Sequence, residues 1–134
     1  MPRMRGMSVG SAGTLLALAV CGCSSTGNAQ AADVARSFYA AVAADDGATA
    51  CGLLAPQTVR ELEESAQAPC QTAILEEDIP DAGEVVKLER YGNQAQARFR
   101  GDTAFLAEFD EGWRIVAVSC RPRVDQPYDC GVDS

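Results

Sequence analysis

Residues 94–100 read QAQARFR, and the alternation of apolar and polar side chains in this stretch decides how the fold is interpreted. Ala95, Ala97 and Phe99 would lie on one face of a β-strand, while the glutamine and arginine side chains face water. Turn-forming residues stand on both sides of it, at 92–93 and at 101–102. Because short connections join antiparallel neighbours, the stretch predicts the second strand of an antiparallel sheet.

Three further strands are predicted around this one. Val86 and Leu88 share one face of the strand that precedes it, and residues 103–109 form the strand that follows. Asp110, Glu111 and Gly112 then turn the chain into a fourth strand, at residues 113–120. Successive short connections therefore predict a four-stranded antiparallel meander.

The fourth strand is apolar on both faces apart from Arg114 and Ser119, which places it in the interior of the sheet. Pro122 and Pro127 follow it, and proline cannot donate a hydrogen bond to a β-ladder. We therefore expect the tail of the chain to lie extended along a surface.

The chain before the sheet has helical spacing. Residues 31–44 contain neither glycine nor proline and place Val34, Phe38 and Val42 on one stripe. Shorter helices are predicted in three further places: at residues 48–54, from Pro56 and from Pro69. Helices followed by a meander predict one α+β domain over residues 31–134, with the helices packed on one face of the sheet.

The N-terminal segment is typical of an export signal. Arg3 and Arg5 precede an apolar region that ends in the run LLALAVCGC at residues 15–23. The run is shorter than the roughly 20 apolar residues that a membrane-spanning helix needs. The segment at 1–22 is therefore predicted to be a signal peptide, and the domain is expected to be exported.

The sequence Val20-Cys21-Gly22-Cys23 resembles the lipobox of bacterial lipoproteins, in which a small residue precedes the cysteine that receives diacylglycerol. The resemblance implies that Cys23 becomes the acylated N-terminus and holds the protein on the extracytoplasmic face of the cell membrane. Cys21 is the alternative acceptor, but it would place the bulky Val20 where the family has a small residue. An ordinary secretory signal is the other alternative. Residues 23–30, which are small and polar, are predicted to be a flexible tether.

The charge of the chain excludes some classes of partner. Removal of the signal peptide takes away two arginines, which leaves nine basic and 19 acidic side chains and a net charge of −10. Like charges repel, so the balance argues against nucleic acid as a partner. The many arginines and alanines suggest a GC-rich genome, such as that of an actinobacterium.

Four cysteines lie in the predicted domain: Cys51, Cys70, Cys120 and Cys130. An even number in a small exported domain indicates disulfides, for which three connectivities exist. The sequence-local choice is Cys51–Cys70 with Cys120–Cys130. Zinc is poorly supported because the chain contains no histidine and no Cys-x-x-Cys pair, and no cofactor is indicated.

The order and length of the elements over residues 31–121 resemble the NTF2-like cone, also found in SnoaL-type and ketosteroid-isomerase proteins. Together with the lipobox, the Phe38-Tyr39 and Gly112-Trp113-Arg114 motifs are similar to those of small actinobacterial lipoproteins with no assigned activity. The cone implies a curved sheet around the first helix, with an apolar pocket between them. Its candidate lining is aromatic: Phe38, Tyr39, Phe105, Phe109 and Trp113. For most of these residues, packing in the core is the favoured alternative role.

No catalytic residues are assigned. Histidine is absent, and Asp102 and Asp110 are explained by the turns in which they stand. The sequence therefore favours a lipid-anchored binding or accessory module for a small apolar ligand or a protein partner. An NTF2-like pocket enzyme of isomerase or cyclase type is the alternative, and two carboxylates, or a tyrosine and a carboxylate, converging in a closed cavity would favour it. A cone with a filled interior would instead indicate a protein-interaction surface.

Overall fold

The computed structural model describes residues 23–134, and the predicted signal peptide lies outside them. Four helices come first: α1 (Cys23–Ala43), α2 (Gly47–Leu53), α3 (Pro56–Ala66) and α4 (Cys70–Glu76). Five strands follow: β1 (Val85–Tyr91), β2 (Gln94–Phe99), β3 (Thr103–Phe109), β4 (Gly112–Arg123) and β5 (Gln126–Val132). The protein is therefore an α+β structure, as the sequence predicts.

Helix α1 begins at Cys23, whereas the sequence pattern predicts that it starts at residue 31 after a flexible tether over residues 23–30. The additional turns pack against the sheet, because Gly27 is buried and lies against the Arg90 guanidinium. A Cβ atom at position 27 would meet the Arg90 guanidinium, so a larger residue there requires this flexible side chain to move. Within residues 23–134, no helix is both long enough and apolar enough to cross a membrane.

The sheet is antiparallel, and its strand order β1-β2-β3-β4-β5 follows the order of the chain. It has five strands, so the prediction of four is corrected. Strand β5 tolerates Pro127 because it is an edge strand that pairs only with β4. Pro122 lies where the β4–β5 register shifts, between Arg121 and Arg123, so its missing N–H interrupts no regular ladder.

Helix α1 packs on one face of the sheet, which we call the inner face. Small side chains of the sheet, Ala95, Ala97 and Ala104, are at most 3% exposed and let the helix approach closely. Larger side chains from all layers fill the remaining space, and those that are fully buried include Phe38, Ile74, Leu106, Ile115 and Val118. The helix and the sheet are therefore in direct apolar contact over most of this face.

Strand β4 changes partner along its length. Its first half pairs with β3, and the register skips Val116 because Leu106 faces Ile115 while Phe105 faces Ala117. From Val118 onward it pairs with β5. Ser119, at the change, has a φ of 56°, a left-handed conformation that a non-glycine residue rarely adopts within a strand. The bulge and Ser119 together redirect the strand away from β3.

The two disulfides join Cys51 to Cys70 and Cys120 to Cys130, which is the sequence-local pairing. The first ties α2 to the start of α4, beside the point where Gly47 meets the backbone of Gln71. The second links directly opposite residues of β4 and β5. Each disulfide therefore holds together two elements at one side of the core.

Candidate functional site

The most highly connected polar side chain in the interior is that of Asp102, which is 9% exposed and follows the β2–β3 turn. Its Oδ2 accepts hydrogen bonds from the Tyr39 hydroxyl at 2.6 Å and from the Ser119 N–H at 2.9 Å. Its Oδ1 accepts a third, from the Cys120 N–H at 3.0 Å. One carboxylate thus joins helix α1, the β2–β3 turn and strand β4.

The redirection of β4 explains why the carboxylate is needed. Where β4 leaves β3, the amides of Ser119 and Cys120 lose their ladder partners, and a buried N–H without an acceptor is costly. Asp102 stands at the start of β3 and supplies the missing acceptors from its side chain. The sequence predicts that Asp102 lies in a turn. It does not predict the second role of Asp102, which is to accept hydrogen bonds from the amides of β4 and so brace this strand.

Tyr39 completes the arrangement from the helix side. Its ring makes edge-on contacts with Phe38 and Phe99, with centroids 5.4 and 4.8 Å apart. Burial, and secondarily the hydrogen bond to the Asp102 carboxylate, raise the pKa of the Tyr39 hydroxyl well above its usual 10.0. Tyr39 is therefore a protonated hydrogen-bond donor at neutral pH.

The edge of Tyr39 also borders a surface cleft of about 230 Å³ that opens to solvent. Arg36 and Asp81 stand at its rim, and Phe99 contributes an apolar wall. Of the hydrogen-bonded pair, Tyr39 lines this cleft and Asp102 does not, and the cleft is open. A molecule in it would meet the ring of Tyr39, whose hydroxyl is already bonded to Asp102.

The structure does not bring the five candidate aromatic residues into one pocket. Phe38 and Tyr39 are buried core residues on the inner face. Phe105 points to the opposite, outer face, where it packs on Tyr128 at 5.1 Å. Phe109 is 41% exposed at the end of β3, and Trp113 is buried beneath α1. The period-two alternation of a strand explains the split, since Phe105 and its buried neighbour Leu106 cannot share a face.

Trp113 borders the second cleft of interest, which has a volume of about 370 Å³. The cleft lies between the first half of α1, at Gln30 and Val34, and the β3–β4 turn. Arg90 stacks over the Trp113 ring at 5.3 Å and forms an ion pair with Glu108 at 3.0 Å. This cleft combines an aromatic wall with the N-terminal half of α1.

Two buried polar atoms occur in the same part of the molecule without a hydrogen-bond partner. They are the Trp113 Nε1, a donor, and the Asn28 Oδ1, an acceptor. Buried polar atoms are usually satisfied, so these two indicate a place where a polar ligand or a water molecule would gain hydrogen bonds.

The remaining sequence-based candidates are the cysteines. Cys23 is the first residue of α1, and the other four form the two disulfides described above. Within residues 23–134, no group of three or more cysteine, aspartate or glutamate side chains is arranged to hold a metal ion. Apart from the cysteines, two polar features stand out, the Asp102 hydrogen-bond network and the Trp113 cleft, and they lie at opposite ends of the face covered by α1.

Comparisons with protein-family models, with curated proteins and with solved structures find no match for this chain.

Proposed function

We propose that the protein is a lipid-anchored extracytoplasmic binding or accessory module that does not transform its ligand. Its anchor would be a diacylglyceryl group on Cys23, exposed as the N-terminus by removal of residues 1–22. The lipobox-like Val20-Cys21-Gly22-Cys23 supports the anchor. Two acyl chains give stable membrane attachment, whereas a single chain binds only marginally.

The observation that carries the non-catalytic assignment is the hydrogen bonding of Asp102. Both of its oxygens are engaged, by Tyr39 and by the two amides of the redirected strand. A carboxylate has about four acceptor sites, so these three bonds leave at most one lone pair, and the buried side chain keeps it from the proton of a substrate in solvent. Since the buried carboxylate braces β4 and the chain has no histidine, we assign the pair a structural role.

The Trp113 cleft is the proposed binding site for a small amphipathic ligand. Val34 and the Trp113 ring offer apolar contacts, and Gln30 and Arg114 offer polar ones. Titration of the soluble domain with lipids, quinones and polyketide-like compounds should shift the emission of Trp113, the single tryptophan. A ligand that binds by calorimetry without shifting this emission would place the site elsewhere.

We also propose that this domain is related to NTF2-like cone domains. Helix α1 packed on the inner face of an antiparallel sheet supports it. Many cones have a short strand between the early helices, and here a single parallel bridge, Leu54 to Ile115, lies between α2 and α3. The kinship would be contradicted by an experimental structure in which the sheet is flat.

The anchor is tested by changing Cys23 to alanine in cells that express the full chain. We expect the variant to be released to the medium or to accumulate unprocessed, while the parent stays with the membrane. Cys21→Ala is the matched control, and it should leave the acylation and the retention unchanged. Membrane retention of a processed Cys23→Ala protein would contradict the proposal.

The alternative, an isomerase- or cyclase-type enzyme, has one observation in its favour: Tyr39 lies at the open cleft and donates to a buried carboxylate. If the pair were catalytic, Tyr39→Phe would abolish turnover of a small apolar substrate while the fold remained intact. We expect no turnover by the parent protein. Turnover that is lost in Tyr39→Phe would establish the alternative.

A further inference from the structure

Helix α1 runs along the strands from one end of the sheet to the other. Gly27, near its start, touches Arg90 beside the β1–β2 turn. Tyr39, 12 residues later, reaches Asp102 at the opposite end, beside the β2–β3 turn. At about 1.5 Å per residue this separation is roughly 18 Å, close to the length of a six-residue strand. The start of α1 therefore lies at the end of the sheet that carries the β1–β2 and β3–β4 turns.

Cys23 lies at that same end. It is four residues before Gly27, which corresponds to roughly 6 Å along the helix axis. The helix continues to Cys23, so no extended spacer separates this residue from the body of the domain. A lipid attached at Cys23 would hold the turns at 92–93 and 110–111 close to the membrane surface.

Two aromatic side chains are exposed at this end. Tyr91 is the last residue of β1 and is 64% exposed, and Phe109 is the last residue of β3 and is 41% exposed. Both alternate with residues of the inner face, Arg90 and Glu108, so both lie on the outer face. The intervening strand β2 separates them by roughly 10 Å. The Glu108 N–H donates to the Asn93 carbonyl at 2.8 Å, which fixes the two turns relative to each other.

We infer that this end of the sheet is a membrane contact, in which Tyr91 and Phe109 enter the interfacial layer of the bilayer. The inference rests on the proposed acylation of Cys23. Tyrosine is enriched at membrane–water interfaces because its ring is apolar and its hydroxyl can remain hydrated. The charged groups nearby are mixed in sign, with Asp110 and Glu111 near Arg114, so the contact would depend on apolar burial and not on anionic lipid.

The test places a tryptophan at each end of the domain in the acylated full chain, reconstituted in phosphatidylcholine vesicles. Phe109→Trp reports on the end near Cys23. Ala43→Trp is the matched control, because Ala43 is exposed and lies 20 residues further along α1, roughly 30 Å away. The parent provides the background, since its Trp113 is only 3% exposed. Replacing the lipid by brominated phosphatidylcholine should then reduce the emission of Phe109→Trp and leave that of Ala43→Trp at its level in unbrominated vesicles.

Three results would overturn the inference in distinguishable ways. Equal quenching at both positions, or none at either, in a chain shown by mass spectrometry to be acylated at Cys23 would remove the membrane contact and leave the anchor intact. A photocrosslinker at position 109 that captures a protein, and no lipid, in intact membranes would assign this end to a protein partner. A chain that carries no lipid at Cys23 would remove the anchor and the contact together.

Discussion

The Asp102 side chain supplies hydrogen-bond acceptors that a neighbouring strand would otherwise provide. Its carboxylate accepts the two backbone N–H groups that β4 withdraws from the ladder, and it also accepts the Tyr39 hydroxyl, 63 residues away in sequence. A turn aspartate and a buried tyrosine can each be recognised in the sequence. Their partnership cannot, because no local pattern specifies which turn a helix end will meet.

The first prediction concerns Asp102→Ala, which leaves both buried amides without an acceptor. An unsatisfied buried donor costs about 1–3 kcal/mol, so the free energy of unfolding should fall by about 3 kcal/mol. Asp110→Asn is the control, since Asp110 is an exposed turn residue and asparagine suits turns. Chemical denaturation of both variants checks the prediction. Equal stability of the two would mean that water replaces the carboxylate.

The second prediction concerns pH. The unfolded chain releases the Tyr39 proton near pH 10.0, whereas the folded protein keeps it because the pKa is raised. Folding stability linked to Tyr39 is therefore complete below pH 9 and falls by about 1.4 kcal/mol for each unit above pH 10. Tyr39→Phe lacks this loss.

The measurement for Tyr39 is the difference in unfolding free energy between the parent and Tyr39→Phe, taken at pH 8 and at pH 11. We expect the parent to be the more stable at pH 8, by about 1 kcal/mol from the hydrogen bond to Asp102. The difference should shrink or change sign at pH 11. A difference that is constant with pH would contradict the raised pKa of Tyr39.

At the scale of elements, two adjacent aspartates form the junction between α1 and α2, and their effects on stability are opposite. Asp45 has a φ of 55° just after the end of α1, where its negative charge also opposes the helix dipole. Asp46 caps α2 and accepts two hydrogen bonds from Thr49, at 3.0 and 2.6 Å. Those bonds hold the pKa of the Asp46 carboxyl below its usual range.

The third prediction follows from this junction. Asp45→Gly should raise the free energy of unfolding by about 0.5–1 kcal/mol, because glycine adopts a positive φ without strain. Asp46→Ala should lower it, because alanine cannot cap the helix. Thermal melts of the two variants at pH 7 should therefore move in opposite directions. A stabilised Asp46→Ala would show that the cap contributes nothing.

The strands show which structural features the sequence pattern predicts and which it does not. The alternation in β2 predicts its two faces correctly, with Ala95, Ala97 and Phe99 all buried. Strand β5 was missed because Pro127 is normally evidence against a strand, and only the final arrangement makes β5 an edge. The contact between Phe105 and Tyr128 could not be predicted either, because Tyr128 belongs to β5.

At the scale of the whole molecule, the α+β class follows from local periodicity and could be predicted. The length of α1 could not, because residues 23–30 are small and polar and become helical through contact with the sheet. The common pocket for the aromatic residues was expected from a resemblance. The aromatic residues do not share a pocket, because Phe38 packs on the inner face of the sheet and Phe105 lies on the outer face.

The fourth prediction compares two soluble chains, one beginning at Ser24 and the other at Ala31. The shorter chain loses two turns of α1 and the cover that Gly27 and Asn28 provide beside Arg90. We expect its free energy of unfolding to be lower by about 1–2 kcal/mol, because the buried Gly27 and half-buried Asn28 no longer cover the Arg90 side chain that stacks on Trp113. Indistinguishable denaturation midpoints would instead support a flexible tether over residues 23–30.

The two disulfides join cysteines that are consecutive in the domain, Cys51 with Cys70 and Cys120 with Cys130. A chain that emerges N-terminus first from a translocation channel presents the first pair together before either member of the second appears. Oxidation in the order of emergence then yields the native pairs directly, without the slow reshuffling that interleaved connectivities require. If the chain is exported as we propose, its maturation should depend on a thiol oxidant and be independent of a disulfide isomerase.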